Sequence, residues 1–207
     1  MDLLRKDGLS LEVLEKLSYR SQLGLSLKKN LHYFDKDMLL DEIRTILMNY
    51  NGNEFLHTLI IDYRVKSIQS AKFKYERYYP AKQVRQVFND LLGFRAFCDN
   101  YDEVLSLQSI NHIRIVDMSN RKANDDGYRG VHLYFQLDNF HYPIEIQYNT
   151  YYDRQFNNWL HNYVYKQGYD NHLGCILRNR YENGKIITEK DFKEELKHVL
   201  LSREKNE

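Results

Sequence analysis

An α+β fold with a mixed β-sheet flanked by helices is predicted by three features of this 207-residue sequence. Helical apolar spacing opens the chain, strand-like runs cluster in its middle, and helical sequence returns toward the C-terminus. The length and a 43% hydrophobic content suit one compact domain with a single sizeable core. Residues 1–207 are therefore read as one domain, with N-terminal helices over 1–54, a core over 55–166 and a helical tail over 167–207.

Taken in order, Leu11, Leu14 and Leu17, then Leu39, Leu40, Ile43, Ile46 and Leu47, recur at helical spacing and predict two or three amphipathic helices. Phe55 to Lys66 is rich in aliphatic and β-branched residues and reads as a strand. Ser67 to Tyr79 lacks Gly and Pro and ends at Pro80, which predicts a helix; Val84 to Leu92 predicts a second, short one closed by Asp90. Gly93 introduces a strand at Phe94 to Cys98, Ile113 to Val116 is another, and the polar run Met118 to Gly127 is a loop. Val131 to Leu137 and Tyr142 to Tyr148 flank a turn at Asp138-Asn139 and predict a hairpin. Helix returns over Tyr151 to Lys166, and Thr188-x-x-Asp191 offers a capping box for a last helix through Leu201.

Charges at Asp2, Arg5, Lys6 and Asp7 stand where a secretory leader needs an apolar stretch, and no run approaches a membrane span, so a cytoplasmic protein with no membrane partner is expected. Cys98 and Cys175 are too few for a disulfide framework or a zinc site and read as packing residues. The net charge of +1 is uneven: Lys72, Lys74, Arg77, Lys82 and Arg85 face a single acid, Glu76, in one short stretch. Tyr75, Tyr78 and Tyr79 are interleaved there, a mixture that suits nucleic acid or nucleotide phosphates and equally a solvated helix face.

Four constellations carry candidate chemistry. Arg64-x-Lys66-x3-Ser70-x3-Lys74 places two cations at a strand end and a hydroxyl and a third cation on one face of the next helix. Such a set can hold a triphosphate, or simply form salt bridges. Asp90-x4-Arg95 offers a carboxylate for magnesium, with a surface acid as the plain alternative. Glu145-x-Gln147 points away from Ile144 and Ile146, so these two polar groups form either a site-like face or an ordinary half-exposed strand. Gly127-Tyr128-Arg129-Gly130-x-His132 is a loop-to-strand junction where glycines allow close approach to a ligand and a tyrosine can stack on a base.

In this order, the sets resemble the synthetase domain of the RelA/SpoT homologue family, the alarmone synthetases. The resemblance spans about Arg64 to Tyr165 and rests on RVKSIQSAKFK, DLLGFR, DGYRGVH and IEIQ. It implies a nucleotidyltransferase-like domain in which Arg64 and Arg95 sandwich the adenine of ATP while Lys66, Ser70 and Lys74 hold its phosphates. It further implies Mg²⁺ on Asp90 and Glu145, with Glu145 as metal ligand or general base, and an acceptor lined by Tyr128, His132 and Gln147. The implied reaction is attack of a ribose 3′-hydroxyl on the β-phosphorus of ATP, releasing AMP. No sign is present of the hydrolase or regulatory domains of the long family members.

The sequence departs from the family before its GYR, where a lysine and an asparagine are replaced by Asn124-Asp125-Asp126. Two acids near a 5′-pyrophosphate would each cost up to roughly 4 kcal/mol at contact distance with an effective dielectric near 20, less when solvated. Lys122 or Arg121, bending back, would compensate. An RNA 3′ end presents an unphosphorylated hydroxyl, and its remaining phosphates can trail toward Lys28, Lys29, Arg77, Lys82 and Arg85. The wording GYRGVHLYF also resembles the toxic small alarmone synthetases, especially the FaRel-type subgroup. That resemblance implies a toxin that pyrophosphorylates the tRNA CCA end, with a protein antitoxin as partner; the alternative keeps the enzyme and makes GDP, GTP or an adenine nucleotide the acceptor.

Overall fold

The computed structural model describes residues 2–120 and 125–204. Arg121, Lys122 and Asn124, which enter the acceptor argument above, lie outside the described residues. Two compact units are present: one takes the chain through Ala96 with Asp102–Val116 and His132–Tyr148, the other Phe97–Tyr101, Asp117–Val131 and the chain from Asn149 onward.

The first unit begins with short helices α1 (Asp2–Lys6) and α2 (Leu11–Leu17), the latter capped by Ser10, whose hydroxyl accepts the Val13 N–H at 3.2 Å. Helix α3 (Lys36–Asn51), capped by Asp35, buries Leu39, Leu40, Ile43, Ile46 and Leu47 as their spacing predicts. Its Glu42 is also buried, and is satisfied by the Ser21 hydroxyl (2.8 Å), the Gln22 N–H (2.6 Å) and the Tyr142 hydroxyl (2.8 Å). That one carboxylate ties the N-terminal segment and the hairpin strand to the helix.

The strand expected from Phe55 to Lys66 is a correction. Helix α4 (Glu54–His57) occupies its start, capped by Asn53, and β1 (Asp62–Val65) only its end. Helix α5 (Ile68–Tyr78) follows as predicted, with Ser67 as its cap. The next helix, α6 (Val84–Val87), is one turn long, so Asp90 lies beyond it, in the turn leading to β2 (Leu92–Phe97), and does not close it. The apolar set Val84, Val87, Phe88 and Leu91 is nonetheless fully buried.

After α7 (Tyr101–Leu105) come β3 (Ile113–Asp117), β4 (Val131–Phe135) and β5 (Ile144–Asn149). The five strands form one sheet in the order β1-β2-β5-β4-β3. β1 and β2 are antiparallel, with Arg64 opposite Gly93 and Asp62 opposite Arg95. β2 and β5 run parallel, because Gly93 lies beside Glu145 and, further along both strands, Cys98 N–H donates to Asn149 O at 3.1 Å. The sheet is thus mixed, as expected. Phe94, Leu133, Phe135, Ile144, Ile146 and Tyr148 form its buried face, each fully inaccessible.

The second unit is helical: α8 (Tyr151–Leu160) runs into a π-helical turn at His161–Tyr165, followed by α9 (Asn171–Glu182) and α10 (Glu189–Glu204). Phe156, Trp159, Leu160, Leu173, Leu177, Tyr181 and Phe192 make its core. The capping box is present, with Thr188 and Asp191 exchanging backbone donors at 2.8 and 3.2 Å. Cys98 is buried and Cys175 half-buried, its sulfur 3.7 Å from Asp125 Oδ2. Among the described residues, no helix is long and apolar enough to cross a membrane.

Candidate active site

The turn that carries Asp90 is anchored by the sheet, since Lys66 N–H donates to Leu91 O at 3.0 Å and prolongs the β1–β2 ladder past the end of β1. This brings Lys66 Nζ to 2.6 Å from Asp90 Oδ2, while Lys74, two turns into α5, reaches Oδ1 at 3.0 Å. Burial works against a charge on Lys66 and pushes its pKa down, although Asp90 pulls the other way. Burial likewise opposes ionisation of Asp90, but Lys74 and Lys66 together hold its carboxyl below the ordinary range. The result is a carboxylate between two ammonium groups. Asp90 Oδ1 is itself buried, with the Lys74 ammonium as its charge partner. Ser70 stands one turn before Lys74, its hydroxyl accepting from Ser67 at 2.9 Å.

On the neighbouring strand, alternation aims Glu145 and Gln147 away from the core, as the sequence predicts. Glu145 Oε1 accepts from the Tyr134 hydroxyl at 3.0 Å and lies 3.1 Å from His132 Nδ1; Oε2 accepts from Gln147 Nε2 at 2.8 Å. Burial favours its neutral form, but the hydrogen bond and charge of His132, with the Gln147 amide, outweigh this and hold the carboxyl below its usual value despite Asp90 nearby. Burial and the Glu145 charge push the Tyr134 phenol far up, so Tyr134 remains a neutral donor. Tyr134 escaped the sequence reading, although strand alternation from His132 places it on the same face.

Arg64, Asp90, Gly93, Phe94, Arg95, Glu145 and Gln147 line one small cleft. The β1–β2 register sets Arg64 and Arg95 diagonally on one face, and Arg95 makes a long contact of 3.8 Å with the exposed Asp62. Gly93 matters here because a Cβ would stand 3.5 Å from Glu145 Oε2 and narrow the floor of the cleft. Arg64, Lys66, Lys74, Asp90, Arg95, Glu145 and Gln147 are thus brought together, with His132 behind Glu145.

The cleft fits magnesium. Two hard carboxylates lining one cleft match that ion's habit of binding through one or two carboxylates plus the substrate's phosphates, and Asp90 Oδ1, held by an ion pair to Lys74, is an oxygen the ion could share. Among the described residues no group of three or more His, Cys, Asp or Glu forms a self-sufficient metal cage.

Tyr128 belongs to the second unit. Arg178, 1% exposed, donates to Gly127 O (2.7 Å), Asp153 Oδ1 (2.7 Å) and Asn157 Oδ1 (3.1 Å). Asn149 and Asn157 amides both donate to Arg129 O, at 2.8 and 2.7 Å. Gly127 has φ +84, and a Cβ there would sit 2.2 Å from Gly174 O, so the loop lies bare backbone against α9. Nothing in the sequence announced Arg178, whose partners are distant in the chain. The pair of acids before Tyr128 is not an unpaired pair. Asp125 is bound bidentately by Arg129 at 2.8 and 3.0 Å; that hydrogen-bonded guanidinium outweighs burial and lowers the carboxyl to about 2. Asp126 Oδ1 accepts the Tyr128 N–H at 3.1 Å. Repulsion of an acceptor phosphate by Asp125 is therefore largely cancelled, which removes half of the electrostatic argument against a free nucleotide.

The basic candidates converge more than their sequence separation suggests. Leu31 N–H donates to Lys82 O, Val84 N–H to Lys29 O and Arg85 N–H to Leu27 O, so the Lys28-Lys29 doublet runs alongside Lys82 and Arg85. Both lysines of the doublet are exposed, and Lys29 lies 5.6 Å above the Tyr33 ring. Arg77, at the end of α5, rests over Tyr78.

No protein-family model and no curated protein matches the chain. Among solved structures it is similar to small alarmone synthetase 1 from Bacillus subtilis, solved with its product pppGpp: 18% identity, 78% of this chain and 92% of that one, TM-score 0.44. It is also similar to small alarmone synthetase 2 from Bacillus subtilis, at 25% identity over 83% and 92% of the two chains with a TM-score of 0.42. A GTP pyrophosphokinase family protein from Streptococcus pneumoniae matches at 20% identity over 82% and 92%, with a TM-score of 0.40. These likenesses are distant in sequence and in superposition.

Proposed function

We propose that the chain transfers pyrophosphate from ATP to a ribose 3′-hydroxyl, and that the acceptor is the CCA end of tRNA. The observation that carries the reaction is the single cleft in which Arg64, Arg95, Asp90 and Glu145 meet, with Lys66 and Lys74 on Asp90. In the proposed reaction the 3′-oxygen forms a bond to the β-phosphorus, the bond from that phosphorus to the α,β-bridging oxygen breaks, and AMP leaves.

Arg64 and Arg95 present planar cations on one face, suited to stacking on the adenine. Lys66 and Lys74 face the polyphosphate, and with triphosphate bound they exchange part of their pairing to Asp90 for phosphate oxygens. Magnesium on Asp90 and Glu145 would supply charge neutralisation as the phosphoryl group transfers. Glu145, ionised and oriented by Tyr134, His132 and Gln147, is placed to accept the hydroxyl proton. Catalysis on this account is positioning and electrostatics.

The acceptor reading rests on the exposed lysine doublet lying beside Lys82 and Arg85, a surface suited to trailing RNA phosphates. Inhibition of translation through blocked aminoacylation, and neutralisation by a protein antitoxin, would follow from it. The second reading, a free guanine or adenine nucleotide as acceptor, gains from the pairing of Asp125 with Arg129. Purified protein, magnesium and γ-labelled ATP with total tRNA in one reaction and mixed nucleotides in another test the choice. Label on tRNA that disappears when the terminal adenosine is removed supports the first reading, whereas label on nucleotides alone replaces it with the second.

A further inference from the structure

A second cleft in the first unit is lined by Arg85, Gln86, His112, Arg114, Tyr134 and Gln136, and none of its lining residues is a carboxylate. A neighbouring hollow shares Gln86, Arg114 and Tyr134 and adds Lys82, again without an acid. Arg114 rests its guanidinium 4.5 Å over the Tyr134 ring, and Arg85 is steadied by its Nε donating to Gln83 Oε1 at 2.8 Å. Among the described residues neither arginine is paired with a carboxylate. Both arginines line the same cleft, and burial, then the Arg114 charge, lowers the Arg85 pKa. Cations arranged so, with forked donors exposed to a cleft, are matched by a phosphate.

Tyr134 connects this cleft to the reaction. Its ring carries Arg114, while its hydroxyl donates to Glu145 at 3.0 Å, so one aromatic side chain separates the cations from the carboxylate that faces the attacking hydroxyl. We infer that Arg85 and Arg114, with Lys82 at the adjoining hollow, form a phosphate subsite of the acceptor, holding a phosphate ester of the molecule whose 3′-hydroxyl meets Glu145. This rests on the transfer reaction proposed above. The shared chemistry is a phosphate on the acceptor; an RNA backbone and a free nucleotide both provide one.

Arg114→Gln and Arg85→Gln, with Arg114→Lys as the conservative variant, are assayed for transfer from γ-labelled ATP to total tRNA and, separately, to GDP. Thermal midpoints and the KM for ATP check that the fold and donor site persist. The inference expects the acceptor KM to rise at least tenfold in both glutamine variants while the KM for ATP stays within twofold, with Arg114→Lys in between. It also expects the salt dependence of binding a labelled single-stranded RNA ending in CCA to lose about 0.7 of slope for the phosphate contact removed. A KM effect confined to tRNA assigns the phosphate to a polynucleotide backbone; one confined to GDP assigns it to a nucleotide. Wild-type transfer with an unchanged acceptor KM in the variants overturns the subsite and leaves the reaction standing. No transfer by wild type to either acceptor removes both.

Discussion

Replacing Arg178 by methionine should destabilise the helical unit by several kcal/mol, and the structure gives the reason. Arg178 is 1% exposed, and its guanidinium is the donor to Asp153 Oδ1, Gly127 O and Asn157 Oδ1. Methionine fills much of the volume against Phe156 but donates nothing. Asp153 keeps the Tyr101 and Thr150 hydroxyls on Oδ2, at 2.7 and 2.9 Å, and is left with a buried charge no longer opposed. Removing one partner of such a pair costs about 3–5 kcal/mol. At about 2–4 °C per kcal/mol for a chain of this size, the midpoint falls by roughly 6–20 °C. Circular dichroism during heating, repeated by urea unfolding, measures it. Adding Asp153→Asn in the same background should recover part of the loss, because the stranded charge is gone while the Oδ2-side donors still find an oxygen; the cycle then gives a coupling of about 0.5–3 kcal/mol. A midpoint drop below about 3 °C, or simple additivity, would refute the reasoning that this ion pair fixes the loop bearing Tyr128.

Other expectations follow from the same geometry. Gly174→Ala places a Cβ 1.9 Å from Asp126 O, so the loop before Tyr128 must shift; overpacking of this kind costs about 1–3 kcal/mol, measurable by denaturant unfolding. Lys66→Met should lower transfer about 10²–10³-fold in single-turnover assays, since it removes a charged donor positioned for the polyphosphate. Asp90, Glu145 and Asp125 all have carboxyls held below the ordinary range, so each contributes stability that is present above the unfolded values of about 4 and lost as pH falls through the folded ones. For Asp125 the loss extends to about 2, and Asp125→Asn should flatten that lowest part of a midpoint-against-pH curve. Charge reversal at Lys28 and Lys29 should reduce tRNA labelling and its salt dependence while leaving the KM for ATP unchanged.

Where local pattern decides structure, the sequence was legible. The apolar spacing of α3 predicts Leu39, Leu40, Ile43, Ile46 and Leu47 as buried, and the alternation of β5 predicts the core face of Ile144 and Ile146, because period and burial are coupled. Phe55 to Ile61 misled because a short apolar run has no period to distinguish strand from helix; Asn53, which accepts the Phe55 N–H, was the available signal for α4. Asp90 was placed at a helix end because Val84, Val87, Phe88 and Leu91 are apolar at helical spacing, yet the helix stops at Val87, and Phe88 and Leu91 are buried in the turn that follows it. In the candidate site, residues within one element were readable, as with Glu145 and Gln147. The pairing of Lys66 and Lys74 on one carboxylate, the Arg129 clamp on Asp125 and the Arg178 network depend on chain crossings that no local spacing encodes. Tyr134 and Arg114 were lost among eighteen tyrosines and many cations until the sheet brought them face to face.

The central claim is transfer of an intact pyrophosphate group, and the most direct measurement counts its products. Wild-type protein with magnesium, ATP labelled separately at the α and γ positions, and tRNA or nucleotide acceptor should yield AMP in equal amount to the γ-labelled acceptor, with no ADP, and Asp90→Asn should abolish both products. Formation of ADP in place of AMP, or undiminished product from Asp90→Asn, would contradict the account.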